Sequence, residues 1–253
     1  MCVLCRSRLP RRSFVSLLGG AFLATSLTAV RAAESNLVEP GLRIAAPSPD
    51  RPRVALTLDA CSGDVDMRIL GFLIEKRVPA TLFLTGRWIA GNPDAVALLG
   101  ANSDLFEFED HGAQHIPAVI GTEKPYGLTP AGTAEAVVAE VEGGAYAIRQ
   151  ALGVTPRFYR DATALYSRDA LELIMGLGYQ IGGYSLSGDW GATASASQAK
   201  NQFASATDGD VILAHMNQPS RQAGAGVVEG IQLLLDRGFS FVRLNEVELK
   251  SAW

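Results

Sequence analysis

Two of the three histidines in this 253-residue chain stand four apart, His111 and His115 in FEFEDHGAQHIP (106–117), between an apolar run and a proline. The third, His215, closes the apolar run of DVILAHMNQP. On one turn of helix a spacing of four brings both imidazoles to one side, which is what chelating a single cation requires. Two surface histidines at a strand exit share that spacing, so the pair must be judged with its surroundings. Asp59, Asp110, Arg160 and Asp189 are the other polar residues that interrupt or end apolar runs. Each taken alone reads as a solvated or capping residue, but together with His215 their joint placement is harder to dismiss.

The elements that must position these groups follow from periodicity. From Val54 onward short apolar runs alternate with helical patterns, the order of successive βα units around a parallel sheet. Seven strands are expected: VALTLDA, ATLFLT, LFEFED, RFYRDAT, YQIGGYSL, DVILAH and FSFVRL. Helices are expected in DMRILGFLIEKR, PDAVALLGA, AGTAEAVVAEVEGGAYAIRQALG, SRDALELIMGLG and GAGVVEGIQLLLDRG, with a longer loop from Ile116 to Thr129. On that map Asp59 ends the first strand, Asp110 and His111 the third, and His215 the sixth, while Arg160 lies late in the fourth and Asp189 follows the fifth. In a βα barrel the C-terminal strand ends share one rim, where active sites lie.

Residues 1–33 read as a targeting segment of the twin-arginine type, with Arg11 and Arg12 before a mildly apolar stretch too short and polar for a stable membrane anchor. The expected location is therefore exported, periplasmic or extracellular. Residues 34–52 read as a proline-punctuated leader, and 53–253 as one catalytic domain. Removing residues 1–33 takes away five arginines and no acid, so the formal net charge moves from −4 to −9. That balance argues against nucleic acid as a partner. Cys2 and Cys5 fall in the removed segment, which leaves Cys61 alone and no disulfide framework.

These residues resemble the polysaccharide deacetylase family, the NodB homology or carbohydrate esterase family four domain, from about Arg53 to Val247. Five ordered motifs carry the likeness. TLDAC (57–61) stands for T-F-D-D-G, HGAQH (111–115) for H-x-x-x-H, YRDATALY for an arginine motif around Arg160, GDW (188–190) for a motif ending Asp-Trp, and ILAH (212–215) for L-x-L-H. The resemblance implies a distorted (β/α)7 barrel of the NodB type in the α/β class. It implies an exported hydrolase that removes N-acetyl or other acyl groups from an amino-sugar polymer or oligomer. Asp59 is then the general base, His215 the general acid, and Arg160 and Asp189 their supports. His111 and His115 are to hold a divalent metal, zinc, which activates the attacking water. Trp190, Leu213 and Tyr166 are the expected substrate-binding walls.

One departure matters, because Ala60 stands where the family has a metal-binding aspartate, and a methyl cannot ligate. Asp64, on the following loop, is taken as the third ligand. Asp110, Asp161 and the Cys61 sulfur are alternatives, and Asp66 reads as the cap of the next helix. Two other functions stay open on the sequence: a metal-independent amidase acting on a small amide or imide, and a non-catalytic carbohydrate-binding protein. Oligomeric state and the identity of the glycan are not legible.

Overall fold

The structure, a computed structural model, describes residues 36–253 apart from Pro47 and Pro49. The twin-arginine segment, residues 1–33, lies outside the described residues. The strands in chain order are β1 (Leu37–Val38), β2 (Gly41–Ile44), β3 (Arg53–Ala60), β4 (Ala80–Leu84), β5 (Phe106–Asp110), β6 (Phe158–Tyr159), β7 (Tyr166–Ser167), β8 (Gln180–Ile181), β9 (Leu186–Ser187), β10 (Val211–His215), β11 (Ser240–Val242) and β12 (Leu249–Ala252). The helices are α1 (Met67–Lys76), α2 (Gly86–Gly91), α3 (Pro93–Ala101), α4 (Ala134–Leu152), α5 (Arg168–Gly176), α6 (Ala196–Ala204) and α7 (Ala223–Asp236).

The main sheet is parallel throughout and runs β8-β6-β5-β4-β3-β10-β9, with β11 paired to the start of β3. Its two ends, β8 and β9, belong to one stretch of chain, YQIGGYSL, broken at residues 182–185. The sheet therefore curls round until both ends meet in that stretch. This is the expected distorted barrel, with all seven expected strands present and one of them split.

Alternation along β3 separates two cores. Val54, Leu56 and Leu58 pack outward with Leu70 and Leu73 of α1 and Val227 and Ile231 of α7. Ala55 points the other way and joins Phe83, Phe158 and Val211 inside the curl. Thr57 and Asp59 share that inward face, so the register that buries the leucines also carries Asp59 to the interior. Helix starts follow the cap chemistry expected of them: Asp66 accepts from the Arg68 amide at α1, and Ser195 and Gln198 form a reciprocal cap at α6.

Three expectations are corrected. The segment read as a leader is, in its described part, folded onto the domain: β1 pairs with β7, β2 pairs with β12, and Leu42 and Ile44 are buried. The RFYRDAT strand stops at Tyr159, so Arg160 lies just past it. Short helices α2 and α6 were not expected, because α2 has only six residues and the mostly polar α6 buries only Ala199 and Phe203, which leaves little periodicity to read.

Candidate active site

Arg160 is fully buried and anchors the site. Its Nε donates to the Gly182 carbonyl (2.7 Å) and its Nη2 to the Gly183 carbonyl (3.1 Å). These are the carbonyls released where the fifth strand breaks. Gly182 is required there, because a Cβ would lie 2.6 Å from the Phe83 ring. Arg160 Nη1 donates to Thr57 Oγ1 (2.9 Å) and Asp59 Oδ1 (2.7 Å), both from the inward face of β3. Burial alone pushes the Asp59 carboxyl up, but the charges of Arg160, His111 and His215 and the arginine hydrogen bond overrule it. The net shift is downward, so Asp59 is ionised.

His215 ends β10, directly in register with Asp59 on β3. Its Nδ1 lies 2.9 Å from Asp189 Oδ1, and its backbone N–H donates to Asp189 Oδ2 (2.7 Å). Both oxygens of this buried aspartate thus orient one residue. Burial lowers the His215 pKa, yet the Asp189 charge and hydrogen bond carry it well above the usual imidazole value. Two neighbouring strand ends therefore present an ionised carboxylate and a protonated imidazole.

The histidine pair is not on a helix. After β5 the chain enters an irregular loop in which Gly112 and His115 both take left-handed φ, +86° and +66°. Glu140 of α4 shapes this loop, its Oε1 accepting the amides of Gln114 (2.9 Å) and Ile116 (3.0 Å). Gly112 is needed, because a Cβ would stand 2.4 Å from that same oxygen. The two rings meet edge to face with centroids 4.9 Å apart. His111 Nδ1 donates to the Arg160 carbonyl (2.8 Å), which can only accept, so Nε2 is left to face Cys61 Sγ at 3.4 Å and Asp59 Oδ2 at 3.6 Å. His115 Nε2 is buried and has no hydrogen-bond partner.

The ligand atoms of Cys61, His111 and His115 all lie within 4.8 Å of one another. Asp64, the third ligand expected from the sequence, is exposed and stands outside this group. The other acids are committed elsewhere. Asp66 caps α1 and pairs with Arg68, and Asp161 accepts the Ala118 and Thr163 amides and the Thr163 hydroxyl. Asp110 gives Oδ1 to the Gly112 amide, and burial drives its carboxyl well above the usual range, so it is neutral. Burial would raise the Cys61 thiol, but the charge and hydrogen bond of His111, with the His115 and His215 imidazoles close by, bring it well below its usual value. His111 is lowered by burial and raised further by Asp59 and Cys61, reaching about 9. These donors fit a divalent cation: two imidazoles with a free or displaceable position at Nε2, and one sulfur primed as thiolate.

A cavity of about 500 Å³ opens over the site, with Asp59 and His215 in its wall beside Leu213, Trp190, Tyr126 and Tyr184. Leu213 and Trp190 line it as expected, the latter held out in left-handed backbone and 45% exposed. Tyr166 does not. It is 1% exposed, and its hydroxyl accepts the Asp161 amide at 2.8 Å, a core role. Glu140 was not singled out by sequence, and Cys61 entered only as one alternative to Asp64, although a further signal existed for it. Asp59 and Cys61 are two apart at the end of a strand, and period two puts them on one side. Tyr126 lies in the long loop, where no periodicity marks it.

The rim of a curled parallel sheet here gathers an ionised carboxylate, a protonated imidazole and a Cys-His-His cluster. The chain belongs to the polysaccharide deacetylase family, whose model matches residues 46–182. It is 26% identical over 200 residues to a bifunctional xylanase/deacetylase of Pseudobutyrivibrio xylanivorans, a match that covers 77% of this chain but 30% of that protein. Among solved structures it resembles the CE4 family pseudoenzyme BA3943 of Bacillus anthracis, in a mutant with restored enzymatic activity, at 18% identity and a TM-score of 0.64 over 79% of this chain and 68% of that one. It also resembles a family 4 acetyl xylan esterase from Clostridium thermocellum in complex with a cobalt ion, at 22% identity and a TM-score of 0.61 over 76% and 88%. At these identities the structural likeness speaks for the fold.

Proposed function

We propose that the protein is an exported hydrolase that removes N-acetyl, or closely related acyl, groups from an amino-sugar polysaccharide or oligosaccharide. The observation that carries this reading is the register of His215 against Asp59: two side chains in opposite protonation states, on adjacent strands, in the wall of one cavity beside the metal donors. His111, His115 and Cys61 would hold a divalent cation, zinc by this reading. The chemistry it supplies is Lewis acidity, which draws charge from the acyl carbonyl and makes water easier to deprotonate.

The rest belongs to the chain. Asp59 keeps Oδ1 pinned to Arg160 and takes the proton of the attacking water on Oδ2. Being ionised in a buried site, it needs no prior proton loss. His215, its Nδ1 fixed by Asp189, delivers a proton from Nε2 to the departing nitrogen, because an amine leaves only once protonated. Trp190 and Leu213 wall the acyl end. The cavity lining contains no lysine or arginine, which suits a neutral acylated sugar and not a polyanion. Among the described residues no helix is long and apolar enough to cross a membrane. Export rests on the Arg11-Arg12 segment.

The test is acetate release from N-acetylglucosamine oligomers, with O-acetylated xylan oligomers in parallel. Release from the amino sugar, abolished by chelation, is the expected result. Full activity after rigorous metal removal, or no release from either substrate, overturns the proposal.

A further inference from the structure

We propose that Cys61 is a metal ligand, and that its sulfur makes this centre selective for thiophilic cations such as zinc and cobalt over magnesium, calcium and manganese. The inference deepens the hydrolase reading and rests on its metal site. It is carried by distances and by elimination.

Cys61 follows β3 directly and falls on the same side as Asp59. Its Sγ is 3.4 Å from His111 Nε2. Two donors on one tetrahedral zinc, with Zn–S about 2.3 Å and Zn–N about 2.0–2.1 Å, stand about 3.5 Å apart. The sulfur and nitrogen are thus already at the separation a shared cation sets. The nitrogen facing the sulfur is the one His111 has free, since Nδ1 is engaged by the Arg160 carbonyl. The third donor, His115 Nε2, is buried without a partner, a costly condition unless something binds it.

No carboxylate competes for the place. Asp64 is exposed, Asp66 and Asp161 are spent on amides and on Arg68, and Asp110 gives Oδ1 to the Gly112 amide and stands outside the donor group. Asp59 Oδ2 stands 3.6 Å from His111 Nε2, but Asp59 is not among the donors that lie within 4.8 Å of one another, which are Cys61, His111 and His115. What remains is one cysteine sulfur and two imidazoles, a soft donor set with three protein ligands and an open position. Hard cations that prefer six or more oxygens find few here. Thiolate and imidazole donors favour zinc and its near neighbours.

The experiment uses the full chain with Cys2 and Cys5 replaced by serine, so that Cys61 is the sole thiol. The chelated protein is titrated with cobalt(II) and read in the near ultraviolet, where a sulfur-to-cobalt charge-transfer band appears only when thiolate is bound. The expected result is a band that saturates at one equivalent, is displaced by zinc, and survives excess magnesium. Cys61→Ser loses the band and binds cobalt more weakly by over about 100-fold, beyond the cost of losing an outer-shell partner. Cys61→Asp, checked by circular dichroism for an intact fold, also loses the band but keeps visible cobalt absorption and gains affinity for manganese.

Visible cobalt absorption without the near-ultraviolet band in the Cys61 protein overturns the inference. So does a band that persists in Cys61→Ser. Acetate release is scored separately: a band without turnover defeats the hydrolase reading and leaves Cys61 as a ligand, whereas turnover without the band does the reverse.

Discussion

Buried acids lie both at the site and along the inward face of β5, and the two sets differ in what faces them. At the rim Asp59 meets the Arg160 guanidinium at 2.7 Å and Asp189 meets the His215 ring at 2.9 Å. Glu107 and Glu109, on the inward face of β5, make no ion pair among those found in the described residues. Glu109 accepts the amides of Arg157 and Phe158, which open β6, and Glu107 accepts the Thr81 hydroxyl and the Asn245 amide. Burial raises Glu109 most. The two amides offset part of that and the nearby Glu107 adds to it, leaving Glu109 at about 9. Asp110 makes the point from within the rim itself, for without an arginine it too is raised. Equal burial gives opposite protonation states, and the partner decides between them. Only an acid held ionised in the cavity wall can take a proton from water.

The largest expected effect breaks the comparison at its working end. Asp59→Asn removes the base while keeping the arginine contact, and kcat for acetate release should fall by about 1000-fold. Glu109→Gln, made in parallel, should change kcat less than about threefold. Equal losses in the two variants would mean that the acids do not differ in role.

Next in size is Asp189→Asn. With the carboxylate gone the His215 pKa falls, so the protonated form is lost at lower pH. The alkaline limb of the kcat profile should move toward neutrality, and kcat should drop by about 100-fold. An unmoved limb in the pH-rate profile would exclude His215 as the acid.

A stability measurement sharpens the β5 side of the comparison. Because the folded value of Glu109, about 9, lies above the ordinary 4.5, the folded chain holds this proton more tightly than the unfolded one. Its contribution is complete below pH 4.5 and is lost as pH rises toward 9. Urea midpoints for the wild type should therefore decline over that window more steeply than those of Glu109→Gln. The variant should gain on the order of 2 kcal/mol relative to wild type at the upper end. Parallel pH curves would refute the assignment.

The smallest effect concerns Trp190, exposed at the cavity mouth. Replacing it with alanine should raise KM by roughly three- to tenfold, as expected for one aromatic contact worth about 0.5–1.5 kcal/mol. Thermal stability should stay nearly unchanged.

Much of this molecule was legible in sequence because two periods dominate it. Alternation in VALTLDA and DVILAH fixed both strands and the face carrying Asp59 and His215, and the order of strand ends put five polar groups on one rim. What escaped was set by contacts rather than by pattern. The HGAQH pair converges through a loop that Glu140 braces from α4, a contact between residues about 25 apart that no local period encodes. Tyr166 was read as a stacking surface, yet its hydroxyl found a backbone amide and its ring went to the core. Leu42 and Ile44 looked like leader because four residues are too few to reveal an edge strand. Asp64 was preferred to Cys61 on chemical habit, whereas alternation already placed the sulfur beside Asp59.

The central claim, that one cation sits between base and acid and is needed for turnover, is tested most directly by titrating zinc into the chelated protein while acetate release and bound metal are followed on the same sample. Activity should be lost on chelation, rise in proportion to zinc, and level off at one equivalent. Turnover by the metal-free protein equal to that of the loaded protein would contradict the account.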